Sequence, residues 1–272
     1  MNNLDIYCIT DKHFSYLDNL PYKKAGVGRS IFPKNYHLSN NLDNIFYKEK
    51  YYSELTFQYW FWKNKLHQLQ EGTWIGFCQK RRFWIKKESI DLEINLINLK
   101  EHLLLSLPES LSQNNSIIVN SIFVNKVRKI KLIKRGIKSL IKNPSILFDE
   151  SKQNVKLHFD MHHGHGNLDL AIDVMEDPDK KEFRDFVSNS VSFNPHIMFI
   201  AKPIIANQWF SILFPWLFRC EKIFGFKNLY GYDSQRLYAY LAERYLSFWF
   251  RKYTKFVEWP IVTINNSELE EF

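Results

Sequence analysis

Residues 74–84 read WIGFCQKRRFW. Trp74 to Cys78 is a short apolar run of the kind that forms a buried strand. Gln79-Lys80-Arg81-Arg82 then turns basic at its end. In open α/β sheets, ligands bind beyond the carboxyl ends of the strands. Two adjacent guanidinium groups there offer forked, planar donors that suit a phosphate or diphosphate. The competing reading is a solvated strand end with one arginine paired to a carboxylate. The aromatic neighbours Trp74, Phe77, Phe83 and Trp84 point to packed surroundings.

Working outward, Leu4–Thr10 reads as a first buried strand that opens into the loop Thr10-Asp11-Lys12. Pro21 to Asn44 carries scattered Gly, Pro and Asn and reads mostly as loop. The spacing of Tyr59, Phe61, Trp62 and Leu66 predicts a helix over 52–69 with Ser53 as N-cap. Further on, 101–107 reads as helix and the β-branched 116–124 as strand. Helices are expected over 178–188, 206–224 (bent at Pro215) and 235–253, with a short strand over 196–200. Strands alternating with helices, then mostly helices, predict an α/β fold: a mostly parallel central sheet and a helix-rich C-terminal half. Neither an internal repeat nor a clear linker divides residues 1–272, so one domain is expected.

Composition narrows the function classes. With 272 residues, 45% hydrophobic and 24% charged, the chain is long enough for a substantial core. Its 9 Gly and 9 Pro argue against collagen-like or linker-dominated designs. Cys8, Cys78 and Cys220 are an odd, widely spaced set, which argues against a disulfide framework or a cysteine zinc site and favours a reducing compartment. The start, MNNLDIYCITDK, lacks a signal-peptide pattern. The most apolar stretch, 204–218, is interrupted by Asn207, Gln208, Ser211 and Pro215. A cytoplasmic protein, peripheral at the inner membrane face, is expected.

The net charge of +8 is local. Residues 126–142, KVRKIKLIKRGIKSLIK, hold eight basic residues and no acid, which leaves the rest of the chain neutral. Ile130, Ile133, Ile137, Leu140 and Ile141 fall at helical spacing among the lysines and arginines. Such basic amphipathic segments suit anionic membrane surfaces; the alternative is a surface helix that docks the stripe on its own domain. Gly136 weakens the helix by about 1 kcal/mol relative to Ala. Basic residues confined to one run, without a recognised motif, do not point to a nucleic-acid partner.

The segments IYCITDK (6–12), YYSELTFQYWFWKN (51–64), WIGFCQKRRFW (74–84), SIIV (116–119), HIMFIAKP (196–203) and LAERYLSFWF (241–250) occur in one order. In order and spacing they resemble the DUF4422 family of capsular and exopolysaccharide glycosyltransferases, over roughly residues 4–251. Glu54, Trp60, Trp62, Asn64, Arg81, Arg82, Glu243 and Arg244 match its pattern. Gln79-Lys80 stands where the family has His-Tyr, and Ile197 where it has Asn; both departures bear on donor or acceptor choice. The resemblance implies a GT-A-like transferase that moves a hexose or galactofuranose from a nucleotide-diphosphate sugar, UDP-sugar foremost, to a polysaccharide or lipid-linked glycan. On that reading about 1–125 is the nucleotide-binding half and about 143–255 the acceptor half, flanking the basic segment. A catalytically inactive module that binds partners or membrane is the alternative.

That chemistry assigns candidate roles. A leaving diphosphate needs cations or a metal, and an inverting reaction needs a carboxylate base. Thr10, Asp11, Lys12, Gln79, Arg81 and Arg82 are the nucleotide-sugar candidates. Tyr7 or Tyr36 could stack on uracil. Glu243 is the first candidate for the catalytic carboxylate and Asp233 the second. Their competing readings are an ion pair for Glu243 and helix capping for Asp233, a role that Ser234 also suits. Arg236 precedes Glu243 by two helical turns and is expected on the same face. Asp160, His162, His163 and His165, in the run DMHHGHG, are candidates for acceptor or sugar contact, as are His196 and Arg236. The run also suits Mn²⁺ or Zn²⁺, or is a plain polar loop. The sequence has no Asp-x-Asp motif, so dependence on Mn²⁺ or Mg²⁺ stays open; Asp91-Leu92-Glu93 has similar spacing but reads as charged surface.

Overall fold

The run that ends in the two arginines is a strand, and it lies in the middle of a sheet. The computed structural model describes residues 3–70, 72–111, 113–176, 178–231 and 233–265. Its strands are β1 (Leu4–Thr10), β2 (Lys23–Gly26), β3 (His37–Leu38), β4 (Trp74–Gln79), β5 (Arg82–Trp84), β6 (Ser116–Val119), β7 (Ile122–Phe123), β8 (Ser192–Phe193), β9 (Phe199–Ala201), β10 (Phe256–Trp259) and β11 (Ile261–Thr263). The helices are α1 (Ser15–Asp18), α2 (Glu49–Tyr52), α3 (Leu55–Asn64), α4 (Leu99–His102), α5 (Lys129–Arg135), α6 (Ile137–Lys142), α7 (Val155–His163), α8 (Asn167–Asp173), α9 (Asp179–Asn189), α10 (Pro203–Phe224) and α11 (Leu237–Tyr253).

The chain forms two compact units. The first comprises Met1–Asn120, His196–Ser211 and Phe250–Phe272, and the second Ser121–Pro195 and Ile212–Trp249. The first holds the main sheet, in the order β10-β6-β9-β4-β1-β2-β3. Along that path every strand but β9 runs the same way, so the sheet is mostly parallel. β5 turns back antiparallel on β4 and carries β11.

Side-chain alternation along β1 explains why it is central. Ile6 and Cys8 join Trp74, Cys78, Trp84, Ile117 and Trp259 in one core layer. Tyr7 points the other way, onto Phe57 and Phe61 at ring-centre distances of 5.6 and 4.9 Å. Each such buried aromatic contributes about 1.5–3 kcal/mol. The three cysteines are free and buried, with Cys8 and Cys78 as register partners across β1 and β4.

Several expectations are corrected. The stretch 21–44 contributes β2 and β3, which extend the sheet by parallel pairing. Strands of four and two residues are too short to show alternation. The helix expected over 52–69 is broken at Ser53, whose φ of 51° no helix tolerates. Ser53 caps α2 at its C-terminus, and Thr56 donates its hydroxyl to the Ser53 carbonyl (2.8 Å). The helix expected over 101–107 shrinks to α4; Leu103 then bridges to Ile85 and Leu104 donates its N–H to Trp84. Residues 116–124 split into β6 and β7, and β7 pairs with β8 in the second unit. Gly136 divides the basic segment into α5 and α6. α10 begins at Pro203 and continues through Pro215.

The second unit is mostly helical. Asn154 caps α7 by accepting the Leu157 N–H (2.9 Å). Phe183, Trp216, Tyr245 and Phe248 pack together. Trp216 donates to the Ala171 carbonyl (2.8 Å), which satisfies its buried N–H.

Candidate functional site

In the first unit the ends of β1 and β4 lie side by side, with Ile9 opposite Gln79. Beyond them the 10–12 loop meets the β4–β5 turn. Lys80 donates its backbone N–H to Ile9 (3.1 Å), and its ammonium binds Asp11 Oδ1 at 2.5 Å. Thr10 closes its own loop by donating its hydroxyl to the Lys12 carbonyl (2.5 Å). The Lys12 ammonium lies over the Phe14 ring at 4.7 Å. Tyr16 donates its hydroxyl to the Lys80 carbonyl, and burial holds that phenol well above its ordinary pKa.

Arg81 and Arg82 are half-buried. Arg81 forms the tip of the turn, and its carbonyl accepts the Ile264 N–H (2.8 Å). Arg82 is the first residue of β5 and donates to Gln79 Oε1 at 2.6 Å. Gln79 and Lys80 therefore have definite partners: one orients Arg82, and the other ties the strand end to the 10–12 loop. Tyr36 stands on the β2–β3 side, edge-on to His13 (5.9 Å) and stacked on Phe32 (5.2 Å). Tyr7 is buried among Phe57, Phe61 and Phe77, and Tyr36 is buried as deeply against Phe32, so both are core rather than base-stacking platforms.

The matching residues of α3 fasten a loop. Trp60 donates to Asn41 Oδ1 (2.9 Å), and Asn64 donates to the Asp43 carbonyl (2.8 Å). Trp62 donates to Asn207 Oδ1 (2.9 Å). Ile197 is buried, and its carbonyl accepts from Gln58 (2.9 Å). His196 precedes β9 with φ 68°, a left-handed backbone that few bulky residues adopt.

The second unit holds another polar cluster. Arg244 on α11 is only 1% exposed, pairs with Glu243 and stacks 3.8 Å over Phe193. Its Nη2 lies 3.2 Å from His158 Nδ1. Since a guanidinium only donates, that nitrogen of His158 is the acceptor and the ring is neutral. Burial, followed by Arg244 and His162, pushes the His158 pKa from 6.5 down to about 2. His162 stacks on His158 at 4.5 Å and donates from Nδ1 to its carbonyl (2.8 Å). His163 donates from Nδ1 to the Asp233 carbonyl (2.9 Å) and stacks 3.7 Å from Tyr240. Burial, then Arg244, lowers its pKa to about 4.

Asp160 is also buried, and its Oδ1 accepts the Gly166 N–H (3.0 Å) while Oδ2 lies 3.3 Å from His165 Nδ1. Gly164 and Gly166 sit at φ 100° and 83°, the conformations this tight loop requires. The run DMHHGHG thus divides: Asp160 closes its own loop with His165, while His162 and His163 turn to other partners. Among the described residues, no three His, Cys, Asp or Glu side chains gather to hold a metal ion. Asp91 and Glu93 are exposed. Asp160 also lines an open pocket of ≈ 570 Å³ with Ser139, Asn143, Lys152, Asn154, Lys156, Ser188 and Asn189.

The catalytic candidates are engaged differently. Glu243 is held by Arg244. Asp233 is half-exposed, and its Oδ2 lies 3.2 Å from Arg135 Nη1. Arg236 is exposed in the turn before α11, which starts only at Leu237. Arg236 flanks the helix, its carbonyl accepting the Tyr240 N–H (3.1 Å), so it stands at the N-terminal edge of α11, two turns before Glu243. Sequence reasoning missed His158, Tyr240 and Arg135. His158 had a legible signal, since it precedes His162 by four residues on one helix.

Comparison with known proteins gives two results. The model of a family described as a domain of unknown function, DUF4422, matches residues 5–255. A solved structure described as the apo form of WbbM, a bifunctional glycosyltransferase, shares the fold with a TM-score of 0.71 at 19% identity. The match covers 97% of this chain and 46% of that one, so the chain spans about half its length. No curated protein matches.

Proposed function

The chain belongs to the DUF4422 family, and on that premise we propose that it is a glycosyltransferase using a nucleotide-diphosphate sugar. One observation carries the reading. Thr10–Lys12 and Lys80–Arg82 meet beyond the carboxyl ends of two neighbouring parallel strands, where such sheets bind ligands. The shared fold with a bifunctional glycosyltransferase supports it.

Arg81 and Arg82 are the donors proposed for the diphosphate, whose charge grows as the glycosidic bond breaks. Gln79 holds Arg82 in place, and Lys80 balances Asp11. The transferred sugar is proposed to be a hexose, with galactofuranose as the other choice, and the acceptor a polysaccharide or lipid-linked glycan. Of the two carboxylates considered in the second unit, Asp233 is the more available, because Glu243 serves the buried Arg244. The pocket lined by Asp160, with its serines, asparagines and lysines, suits a hydroxyl-rich glycan.

Calorimetric titration of UDP and UDP-sugars, with and without Mn²⁺, tests the donor half of the reading. Binding by the wild type and its loss in Arg81→Ala/Arg82→Ala are expected. A wild-type protein that binds no nucleotide sugar would falsify it. A non-catalytic module is the second reading, favoured by the engagement of Gln79 and Lys80 within the fold where other members carry His-Tyr. Nucleotide binding without turnover on any donor would favour it.

A further inference from the structure

α5 and α6 present two faces, and only one is packed. Leu132 and Leu140 turn inward and join Ile146, Leu157 and Met161 in a small core. Ile130 and Ile133 are three apart on α5, and Ile137 and Ile141 four apart on α6, so each pair shares a helix face. All four face solvent: Ile130 is 70% exposed, Ile133 53%, Ile137 48% and Ile141 75%. Phe148 joins them at 81% exposure, and Lys129 Nζ lies 5.5 Å from its ring centre. Five exposed large apolar side chains within one short segment exceed the scattered residues a soluble surface normally shows.

The surrounding charge names the partner. Eight basic residues and no acid lie within 126–142. Arg135 binds Asp233, and Lys142 Nζ lies 3.4 Å from His165 Nε2. Lys126, Arg128, Lys129, Lys131, Lys134 and Lys138 are all exposed around the isoleucines. A protein partner would need to be both apolar and densely acidic, whereas an anionic bilayer interface supplies both properties over any area. Among the described residues no helix is long and apolar enough to cross a membrane, so the contact is one of lying on the surface. We propose that α5, α6 and Phe148 form a docking face by which the second unit seats on an anionic lipid surface. The isoleucines and Phe148 enter the headgroup–acyl boundary, and the lysines meet the lipid phosphates.

The test is flotation of the full chain with pure phosphatidylcholine vesicles and with mixed phosphatidylcholine–phosphatidylglycerol vesicles. The wild type is expected to float with the mixed vesicles only. Each basic residue near such a surface adds about fivefold to partitioning, equivalent to about 1 kcal/mol. Lys129→Gln/Lys131→Gln/Lys134→Gln/Lys138→Gln should therefore partition about 10²–10³-fold less. Ile130→Ser/Ile133→Ser/Ile137→Ser/Ile141→Ser keeps every charge and the Leu132 and Leu140 core, and should lose at least about tenfold. Thermal melts matching the wild type would confirm both variants as folded; if either fails to fold, salt titration toward ~1 M, which screens charge within about 3 Å, tests the same contact. Failure to float with anionic vesicles overturns the proposal. So does wild-type flotation of the isoleucine variant, which would mean adsorption by charge alone. Self-association, or RNA binding tighter than vesicle binding, would also overturn it by assigning the face to another partner. None of these readouts depends on nucleotide binding, so this proposal and the donor reading fail separately.

Discussion

The two units each gather arginines and carboxylates, but at very different depths. In the first, Asp11, Lys80, Arg81 and Arg82 are half-buried at a strand end, within reach of water. In the second, Arg244 is fully buried, with Glu243 as its counter-charge and His158 as a neutral acceptor. A half-buried cation keeps part of its hydration and can exchange it for a ligand. A buried cation has lost that hydration and depends on its partners. The difference separates two arginine motifs: the half-buried Arg81-Arg82 suits the recognition role proposed for it, whereas the buried Glu243-Arg244 pair suits holding the helical unit together.

The largest effect should come from the buried side. Arg244→Met leaves the Glu243 carboxylate without its guanidinium and His158 without its donor. Removing one partner of a buried pair costs about 3–5 kcal/mol. Urea melts should show that loss, while the folded fraction still binds UDP-sugar as the wild type does. A variant of unchanged stability would break the contrast between the clusters.

Acid comes next. His158 and His163 have folded pKa values below the ordinary 6.5, so the unfolded chain takes up protons that the native chain refuses. Stability is therefore intact above pH 6.5 and lost as pH falls toward their folded values. From 6.5 to about 4, His163 alone accounts for on the order of 3 kcal/mol. Asp160 opposes this, because burial raises its carboxyl and the native state then holds that proton more readily. Urea melts at about pH 7 and about pH 4.5 should differ in this direction, and His163→Phe should flatten the profile. A wild-type profile already flat would mean that these histidines are charged and solvated.

Much of the first unit was legible in sequence because a strand end signals itself. IYCIT and WIGFC are apolar runs that stop at polar residues, so both loops could be assigned before the strands were paired. The short strands β2 and β3 were not legible, since β2 is fixed by pairing with β1, and β3 in turn by pairing with β2, rather than by their own pattern. In the second unit the basic segment was legible, and its isoleucines do face outward; one member of the stripe, Leu140, does not. Helical spacing placed Leu140 on the same stripe as the isoleucines, whereas Leu140 joins Leu132 inside and the isoleucines stay outside. The Arg135–Asp233 contact joins residues about a hundred positions apart and the His163–Asp233 contact residues 70 apart, and only the fold reveals such pairs.

On the exposed side, Arg81→Ala/Arg82→Ala should weaken nucleotide-sugar binding by about tenfold to a hundredfold for each charge-assisted hydrogen bond lost, about 1.5–3 kcal/mol. Stability should fall by only about 0.5–1.5 kcal/mol, the net contribution of a hydrogen bond such as the one the half-buried Arg82 gives Gln79. A large loss of stability instead would assign the pair a structural role like that of Arg244 and erase the contrast.

The smallest effect tests the contrast at its finest grain. Lys80 and Asp11 form a close ion pair at 2.5 Å, yet their side chains are 28% and 42% exposed. Water screens such a pair, and fixing two flexible side chains opposes its attraction, so exposed pairs contribute about 0.2–1 kcal/mol. A double-mutant cycle with Lys80→Met and Asp11→Asn should return a coupling in that range by urea melts. Its effect on ligand should differ in sign between the singles. Asp11→Asn removes a negative charge beside the proposed diphosphate position and should tighten binding, whereas Lys80→Met removes a cation and should weaken it. Equal and parallel losses in both singles would show that the pair serves only to position the 10–12 loop, with no charge of its own in recognition.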